Sequence, residues 1–214
     1  MSTGMESTAI SVESNHGWLY QRLIRNDTPR PADLIFVMAG RMERKQYGLD
    51  LFRAGFAPRL LLSVGRFEVS RMRSIGFEKA DELIAYRDRT APGERHFFCE
   101  IRASGIRMEA PRLAQWNTYG ELEALREVLK HDMPRSVIFL STDIHLRRVA
   151  VAFSKVFHGF PLEACFCPVP SEYGPRPDFR YVLAETLKLA GYRVILRLPD
   201  PLIRRIMRLR HYLG

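Results

Sequence analysis

Residues 136–153, SVIFLSTDIHLRRVAVAF, bring hydroxyl, imidazole and guanidinium groups together directly after an apolar run. The run ends at Ser141 and Thr142, and His145 and Arg148 follow within the next six residues. This pattern predicts a buried strand that leads through a polar turn into an amphipathic helix. In an open α/β sheet, ligands bind at the carboxyl ends of the strands. We therefore expect a ligand site here, and its basic side chain favours an anionic ligand.

The residue types of this segment indicate particular roles. His145 and Arg148 are three positions apart, so they share one face of the predicted helix. The start of a helix disfavours positive charge, so we expect a neutral His145 that acts as a general base or a hydrogen-bond donor. Arg148 would bind a phosphate or a carboxylate. A purely structural histidine is the alternative, and the segment has too few further ligands to predict a metal site.

Polar and flexible residues also end two earlier apolar runs, DLIFVMAG and RLLLSVG. Glycine lets a ligand approach the backbone, and the start of the next helix favours an anion. The candidate ligand-binding residues there are Gly40, Arg41, Arg44, Ser63, Gly65 and Arg66. Plain turns with solvated arginines are the alternative. Neither the dinucleotide pattern GxGxxG nor the phosphate-loop pattern GxxxxGK(S/T) occurs, and the segment with Glu68 and Arg71 is a candidate lid.

A further candidate is the helix start NTYGE at residues 117–121. A helix N-cap needs only one of Asn117 and Thr118, so the other is available to a ligand beside the positive end of the helix dipole. Glu121, one turn further on, is a candidate acid–base catalyst or a partner for a sugar hydroxyl. A capping arrangement between Glu121 and Thr118 is the alternative that we favour.

Strand-like and helix-like segments alternate along the chain, which predicts a mostly parallel sheet covered by helices on both faces. The expected strands are residues 33–40, 59–65, 96–101, 105–108, 136–141 and 162–170. The expected helices are residues 16–25, 41–55, 77–89, 117–132, 145–157 and 180–198. The predicted fold class is a single-domain, Rossmann-like three-layer α/β sandwich. It comprises residues 31–198, between an N-terminal extension (1–30) and a basic amphipathic tail (199–214).

Composition narrows the classes of partner. The 214 residues carry a formal charge of +9, which permits nucleic acid, anionic lipid or phosphorylated small molecules. No zinc-finger, RNA-recognition or arginine-rich pattern is present, and this disfavours nucleic acid. Cys165 and Cys167 alternate in LEACFCP, which favours buried reduced thiols on one face of a strand over a zinc site. The first residues lack the pattern of a secretion signal, so we expect a cytoplasmic protein.

The tail segment LIRRIMRLRHYLG, residues 202–214, has one apolar stripe that arginines flank. The stripe consists of Leu202, Ile206, Leu209 and Leu213. A stripe of this kind is typical of a helix that caps a domain, which is the commoner case. Peripheral contact with a membrane surface is the alternative.

Taken in order, these motifs resemble the ElyC/SanA/YdcF family. The resemblance lies in LFRAGFAP, LLLSVG, NTYGE, STDIHLRRV and LAETLKLAGYRV, and it covers roughly residues 33–198. The chain departs from the family pattern at Val64, Gly120 and Glu121. The resemblance implies a Rossmann-like fold, a pocket at the strand ends, and a last helix whose Glu185 pairs with a buried arginine. It also implies S-adenosylmethionine as a candidate cofactor, and links to peptidoglycan and envelope-lipid metabolism.

These observations lead to one main functional hypothesis. The chain is expected to bind a nucleotide-like (S-adenosylmethionine-like) or phosphorylated small molecule at the strand ends, with hydrolase or transferase activity left open. His145 and Glu121 are the candidate catalytic residues. The alternatives are a ligand sensor without catalysis and a protein of cell-envelope lipid metabolism that acts at the membrane surface. The sequence leaves the oligomeric state undetermined.

Overall fold

The computed structural model describes residues 17–111, 117–174 and 178–209, with side chains as far as Met207. The strands are β1 (Leu34–Val37), β2 (Arg59–Gly65), β3 (His96–Arg102), β4 (Gly105–Glu109), β5 (Ser136–Ser141) and β6 (Glu163–Pro168). The helices are α1 (17–23), α2 (Met42–Arg53), α3 (Ala80–Arg89), α4 (Thr118–Leu129), α5 (Asp143–Val156), α6 (Phe179–Ile195) and α7 (Asp200–Leu209). Short 3₁₀ helices cover Val69–Ile75, Pro92–Glu94 and Ser171–Tyr173.

The six strands form one sheet in the order β4-β3-β2-β1-β5-β6. Strands β2, β1, β5 and β6 run parallel. Strand β3 runs antiparallel to β2, and β4 runs antiparallel to β3. The predicted fold class is therefore confirmed: the chain is an α/β protein with a mostly parallel, Rossmann-like sheet between helices. Each predicted strand is present, and the sequence had not indicated that β3 reverses direction.

Both faces of the sheet are buried, as central parallel strands require. Side chains alternate along β1, so Leu34 and Phe36 face one helical layer while Ile35 and Val37 face the other. The first layer is built from α4 and α5, and the second from α2 and α3. The core therefore lies in two slabs, one on each side of the sheet.

Helices α6 and α7 complete the first layer. Tyr192 of α6 and both Ile203 and Met207 of α7 are buried in the same cluster as α4 and α5. The predicted tail stripe is wrong in part, because Leu202 is exposed and the neighbouring Ile203 enters the core. Leu213 lies outside the described residues. The described part of α7 caps the domain, which favours the domain-capping interpretation of the tail over membrane contact.

Two local predictions can be compared directly with the structure. Cys165 and Cys167 are buried free thiols whose sulfur atoms lie 3.4 Å apart, so they do share one face of β6. The segment expected to be a lid forms the 3₁₀ helix Val69–Ile75, and Val69 and Met72 are buried in the core. Within the part of the chain that the structure describes, no helix is long and apolar enough to cross a bilayer.

The contact between α2 and β1 can be tested at Gly48, which lies inside α2. A Cβ atom on Gly48 would lie 2.5 Å from Val37 Cγ2. We expect Gly48→Ala to lower the free energy of unfolding by about 1–3 kcal/mol, despite the better helix propensity of alanine. Urea-induced unfolding measures this change. Gly93→Ala, which meets no atom within 4 Å, is the control, and equal stability of both variants would contradict the close packing.

Candidate functional site

The strand order changes direction at β1. The chain leaves β1 toward β2 through α2 on one face, whereas β5 and β6 lie on the other side of β1 with their helices on the opposite face. Ligands bind outside the carboxyl ends of strands at such a switch point. A cavity of about 390 Å³ lies there, and we call it the histidine cavity. Seven predicted site residues line it: Gly65, Arg66, Asn117, Thr118, Glu121, His145 and Arg148.

His145 is held between two hydroxyl groups. Its Nδ1 lies 2.6 Å from Ser141 Oγ and its Nε2 lies 3.1 Å from Thr118 Oγ1. Burial lowers the pKa of His145 well below its ordinary 6.5, and the positive charges of Arg148 and Arg44 act in the same direction. This lowered pKa favours the neutral imidazole that we expected, through burial and neighbouring arginines and not through the start of the helix. One ring nitrogen donates a hydrogen bond and the other accepts one, so the two hydroxyls determine the orientation of the ring.

Arg148 is fixed by the protein before any ligand binds. Its Nε and Nη2 donate to the two carboxylate oxygens of Glu185 at 3.1 and 3.3 Å, and its Nη1 donates to Thr118 Oγ1 at 2.7 Å. Glu185 is buried and accepts a further bond from Lys188. The predicted pairing of Glu185 with an arginine is confirmed, and Arg148 itself is partly buried while Glu185 is the buried partner. A guanidinium group has five N–H donors, so Arg148 keeps two for a ligand in the cavity.

Two neighbouring residues at the start of α4, Asn117 and Thr118, have different roles. Asn117 Oδ1 accepts hydrogen bonds from the backbone N–H groups of Tyr119 and Gly120, both at 3.0 Å. Asn117 is therefore the N-cap, while the Thr118 hydroxyl binds His145 and Arg148. Both residues line the cavity.

The favoured capping arrangement of Glu121 is wrong. Its Oε1 instead accepts the backbone N–H of Ala39, at the end of β1, at 2.7 Å. Burial raises the pKa of Glu121, and hydrogen bonds from Ser63 and Ala39 oppose that rise. The structure thus places Glu121 on the cavity floor as a carboxyl group that holds its proton more tightly than usual.

A second histidine in the cavity was missed by sequence reasoning. His96 is buried, and its Nε2 lies 2.7 Å from Ser63 Oγ. Burial lowers its pKa to about 4. His96 begins the antiparallel strand β3, so it lies opposite Gly65 at the carboxyl end of β2. The sequence indicated no direction for this strand, and a parallel strand would have placed His96 at the opposite edge of the sheet.

Lys45 and Glu68 form a buried ion pair behind the cavity. Lys45 is fully buried, and its Nζ donates to Glu68 Oε1 and to the carbonyl oxygen of Met38. Burial lowers the pKa of Lys45, and the carboxylate of Glu68 opposes this effect. Neither residue was predicted to belong to the site, because a lysine in an amphipathic helix is ordinarily solvated.

Glu68 also changes the interpretation of the two glycine turns. It accepts the backbone N–H of Gly40 at 3.0 Å and that of Gly65 at 2.7 Å. These amides were expected to bind a ligand anion, and a carboxylate of the protein occupies them instead. Glu68 is buried, so it does not belong to a mobile lid.

The candidate ligand-binding residues do not all line one cavity. Arg41, Arg44 and Thr142 line a separate cavity of about 520 Å³, which we call the tyrosine cleft after Tyr20, Tyr47 and Tyr181. Arg44 forms the partition, because its Nη1 donates to the carbonyl of Ala39 at 2.6 Å and its Nη2 to Thr142 Oγ1 at 3.3 Å. Arg41 pairs with Glu43 at 3.3 Å.

The predicted residues Ser63 and Ser141 are fully buried and line neither cavity. Each serine contacts an imidazole, His96 or His145, at the end of its strand. Their hydroxyls therefore orient the histidines and do not reach a ligand. No cluster of three or more histidine, cysteine or acidic side chains that could hold a metal ion occurs among the described residues.

The fold and the cavity define an α/β protein with a polar, ligand-sized site at a topological switch point. Comparisons of the chain with protein-family models, with curated proteins and with solved structures found no match.

The buried ion pair can be tested by removing one charge. Lys45→Met leaves Glu68 buried without its cation, and we expect a loss of about 3–5 kcal/mol in the free energy of unfolding. Glu68→Gln added to that variant removes the unpaired charge and should restore part of the loss. Urea unfolding of both single variants and the double variant measures the coupling. Strict additivity of the two changes would contradict the pairing.

His96 predicts a particular dependence of stability on pH. Its pKa is about 4 in the folded chain and about 6.5 when unfolded. Between these values the unfolded chain binds more protons, so stability falls as the pH falls from about 6.5 to about 4, by on the order of 3 kcal/mol. In His96→Gln this pH-dependent loss of stability should disappear, and the loss of stability caused by protonation of His145 should remain. Urea unfolding at several pH values in this range measures the free energy of unfolding of both proteins. If the two free energies fell by the same amount with pH, His96 would not be the group responsible.

Proposed function

We propose that the chain binds an anionic, nucleotide-like or phosphorylated small molecule in the histidine cavity and acts on it by acid–base chemistry. One observation carries the proposal: a neutral imidazole and a carboxyl group of raised pKa line the same cavity beside an anchored guanidinium group. Titratable groups shifted by burial in a cleft are typical of functional sites. The cavity volume of about 390 Å³ falls within the usual range for small-molecule sites.

The shifts of pKa assign complementary roles to the two titratable groups. His145 is neutral at physiological pH, so a ring nitrogen is able to take a proton from a hydroxyl group or a water molecule. Glu121 retains its proton to higher pH than an exposed glutamate, which suits it to donate a proton to a leaving group. Attack by water would make the chain a hydrolase, and attack by a second substrate would make it a transferase.

The charge and shape of the cavity support an anionic ligand with a planar part. Arg148 keeps two N–H donors, and Arg66 lies at the exposed rim. The guanidinium of Arg66 lies 4.3 Å from the ring centroid of Phe67, a cavity residue that is 73% exposed. An exposed aromatic ring beside arginines is a suitable platform for stacking a nucleobase. The S-adenosylmethionine expectation and the family resemblance stay predictions, and they make this compound one of the first probes.

A second candidate function is ligand sensing without catalysis. The observation that favours it is the extent to which the polar groups of the cavity are already bonded to each other. Thr118 binds both His145 and Arg148, while Glu121 binds the end of β1. Groups that the protein already satisfies keep their positions when a ligand enters the cavity, but they must break bonds before they transfer protons.

Thermal denaturation with a panel of probes tests ligand binding. The panel comprises S-adenosylmethionine, adenine nucleotides, sugar phosphates and inorganic phosphate. We expect stabilisation by a phosphate-bearing or nucleotide-like probe, and a drop in affinity of about tenfold in Arg66→Met, because a charge-assisted hydrogen bond is lost. Arg71→Met, at an exposed arginine outside the cavity, is the matched control. The absence of stabilisation by every probe would contradict the proposal.

Catalysis is tested separately, with the probe that binds. His145→Gln removes the proposed base, so we expect turnover of that probe to fall by at least about a hundredfold. His158→Gln, at an exposed histidine beyond the end of α5, should have no effect. If the unaltered protein binds the probe without measurable turnover, the result favours ligand sensing over catalysis.

A further inference from the structure

Exposed apolar side chains are concentrated on one part of the surface. Among the described residues, seven of the eight large hydrophobic side chains that are exposed belong to α1, α6 and α7. They are Trp18, Phe179, Tyr181, Leu183, Leu187, Val194 and Leu202. Single exposed apolar residues are ordinary on protein surfaces, but a contiguous group is typical of an interaction surface.

Most of these residues form one stripe along α6. Phe179, Leu183, Leu187 and Val194 follow one another at helical spacing, and the exposed Ala190 lies between the last two. The stripe extends for roughly 22 Å along the helix. Leu187 is 66% exposed and Val194 is 65% exposed, so no described element covers them.

The exposed charges along α6 are mostly positive. The only carboxylate of α6, that of Glu185, is buried against Arg148, so it contributes nothing to the outer face. The exposed charged residues of α6 are Arg180, Lys188 and Arg193. Apart from Asp178, the exposed N-cap at the start of α6, the charged residues that flank the apolar stripe are cations. This is the pattern of a helix that lies at a lipid–water boundary.

A groove of about 370 Å³ lies beside the stripe, between the end of α1, α5 and α6, and three arginines line it: Arg25, Arg147 and Arg193. Arg25 pairs with Asp27 at 3.4 Å. Arg147 and Arg193 have no hydrogen-bond or ion-pair partner within the described ranges. Three guanidinium groups around one groove repel each other, and a phosphate group would relieve this repulsion with bidentate hydrogen bonds.

Helix α1 adds an aromatic anchor to the same surface. Leu23 packs with Val182 and Leu189, which places α1 against α6. Trp18 of α1 is 57% exposed, and the guanidinium of Arg22 lies 4.0 Å from its ring centroid. Tryptophan is enriched where proteins meet the headgroup region of a bilayer.

We propose that this surface, formed by Trp18, the α6 stripe and the arginine groove, docks the protein on an anionic phospholipid membrane. Charge complementarity selects this occupant. A second copy of the chain would bring two cationic faces together, whereas anionic lipids supply phosphates for the groove and acyl chains for the stripe. The docking surface is distinct from the predicted tail anchor, because α7 buries Ile203 and Met207 in the core.

Flotation of the full chain with vesicles tests the proposal. We expect binding to vesicles of phosphatidylcholine with about 30% phosphatidylglycerol, none to phosphatidylcholine alone, and loss of binding at high salt. Arg147→Glu combined with Arg193→Glu should weaken binding at least about tenfold, because each cation near the surface contributes to the attraction. Leu187→Gln should weaken it about fivefold by removing part of the buried apolar area.

A matched control keeps the test specific. Arg71→Glu combined with Arg89→Glu makes the same change in net charge at exposed positions outside α1, α5 and α6, and it should bind vesicles as the unaltered protein does. Equal weakening by both charge-reversal pairs would overturn the proposal, since net charge alone would then explain binding. No binding to anionic vesicles would also overturn it, as would a dimer in light scattering that Leu187→Gln dissociates.

Discussion

One buried carboxylate, that of Glu68, connects the ends of two strands to a helix. It accepts the backbone N–H groups of Gly40, after β1, and of Gly65, at the end of β2, and it pairs with Lys45 of α2. A buried charge that loses a partner destabilises the fold strongly, so these contacts have to persist together. The two turns are therefore fixed relative to each other, and they form one wall of the histidine cavity.

The same contact between a serine and a histidine occurs twice at the cavity. A serine at the end of a strand contacts an imidazole that burial keeps neutral: Ser63 with His96, and Ser141 with His145. A neutral His145 ring can be buried beside Arg44 and Arg148 at little cost, whereas a charged ring would be repelled. At His96, burial and the charge of Lys45 favour the neutral ring, and Glu68 opposes them. The hydroxyls therefore set the direction of the rings, while burial and nearby cations favour their neutral form. This is the physical basis of the acid–base chemistry that we propose.

Helix α6 connects the cavity with the proposed docking surface. Its inner face supplies Glu185, which anchors Arg148, and its outer face carries the apolar stripe and Arg193. The tyrosine cleft is separated from the histidine cavity by the partition that Arg44 forms.

Local patterns along the chain predict the helices, the strands and the edge of the sheet where polar groups gather. Apolar runs of four to seven residues that end in glycine or serine predict buried strands, and the segment from Ser141 to Arg148 indicated the site, because local spacing controls both. Which partner each of those polar groups binds follows from the three-dimensional fold. Whether Glu68 binds a ligand or two backbone amides depends on contacts between elements far apart in the chain. The reversal of β3 that brings His96 to the cavity, and the partition by Arg44, depend on such contacts as well. The spacing of residues along the sequence does not indicate these contacts, because long-range packing and the need to pair buried charges select which residues meet.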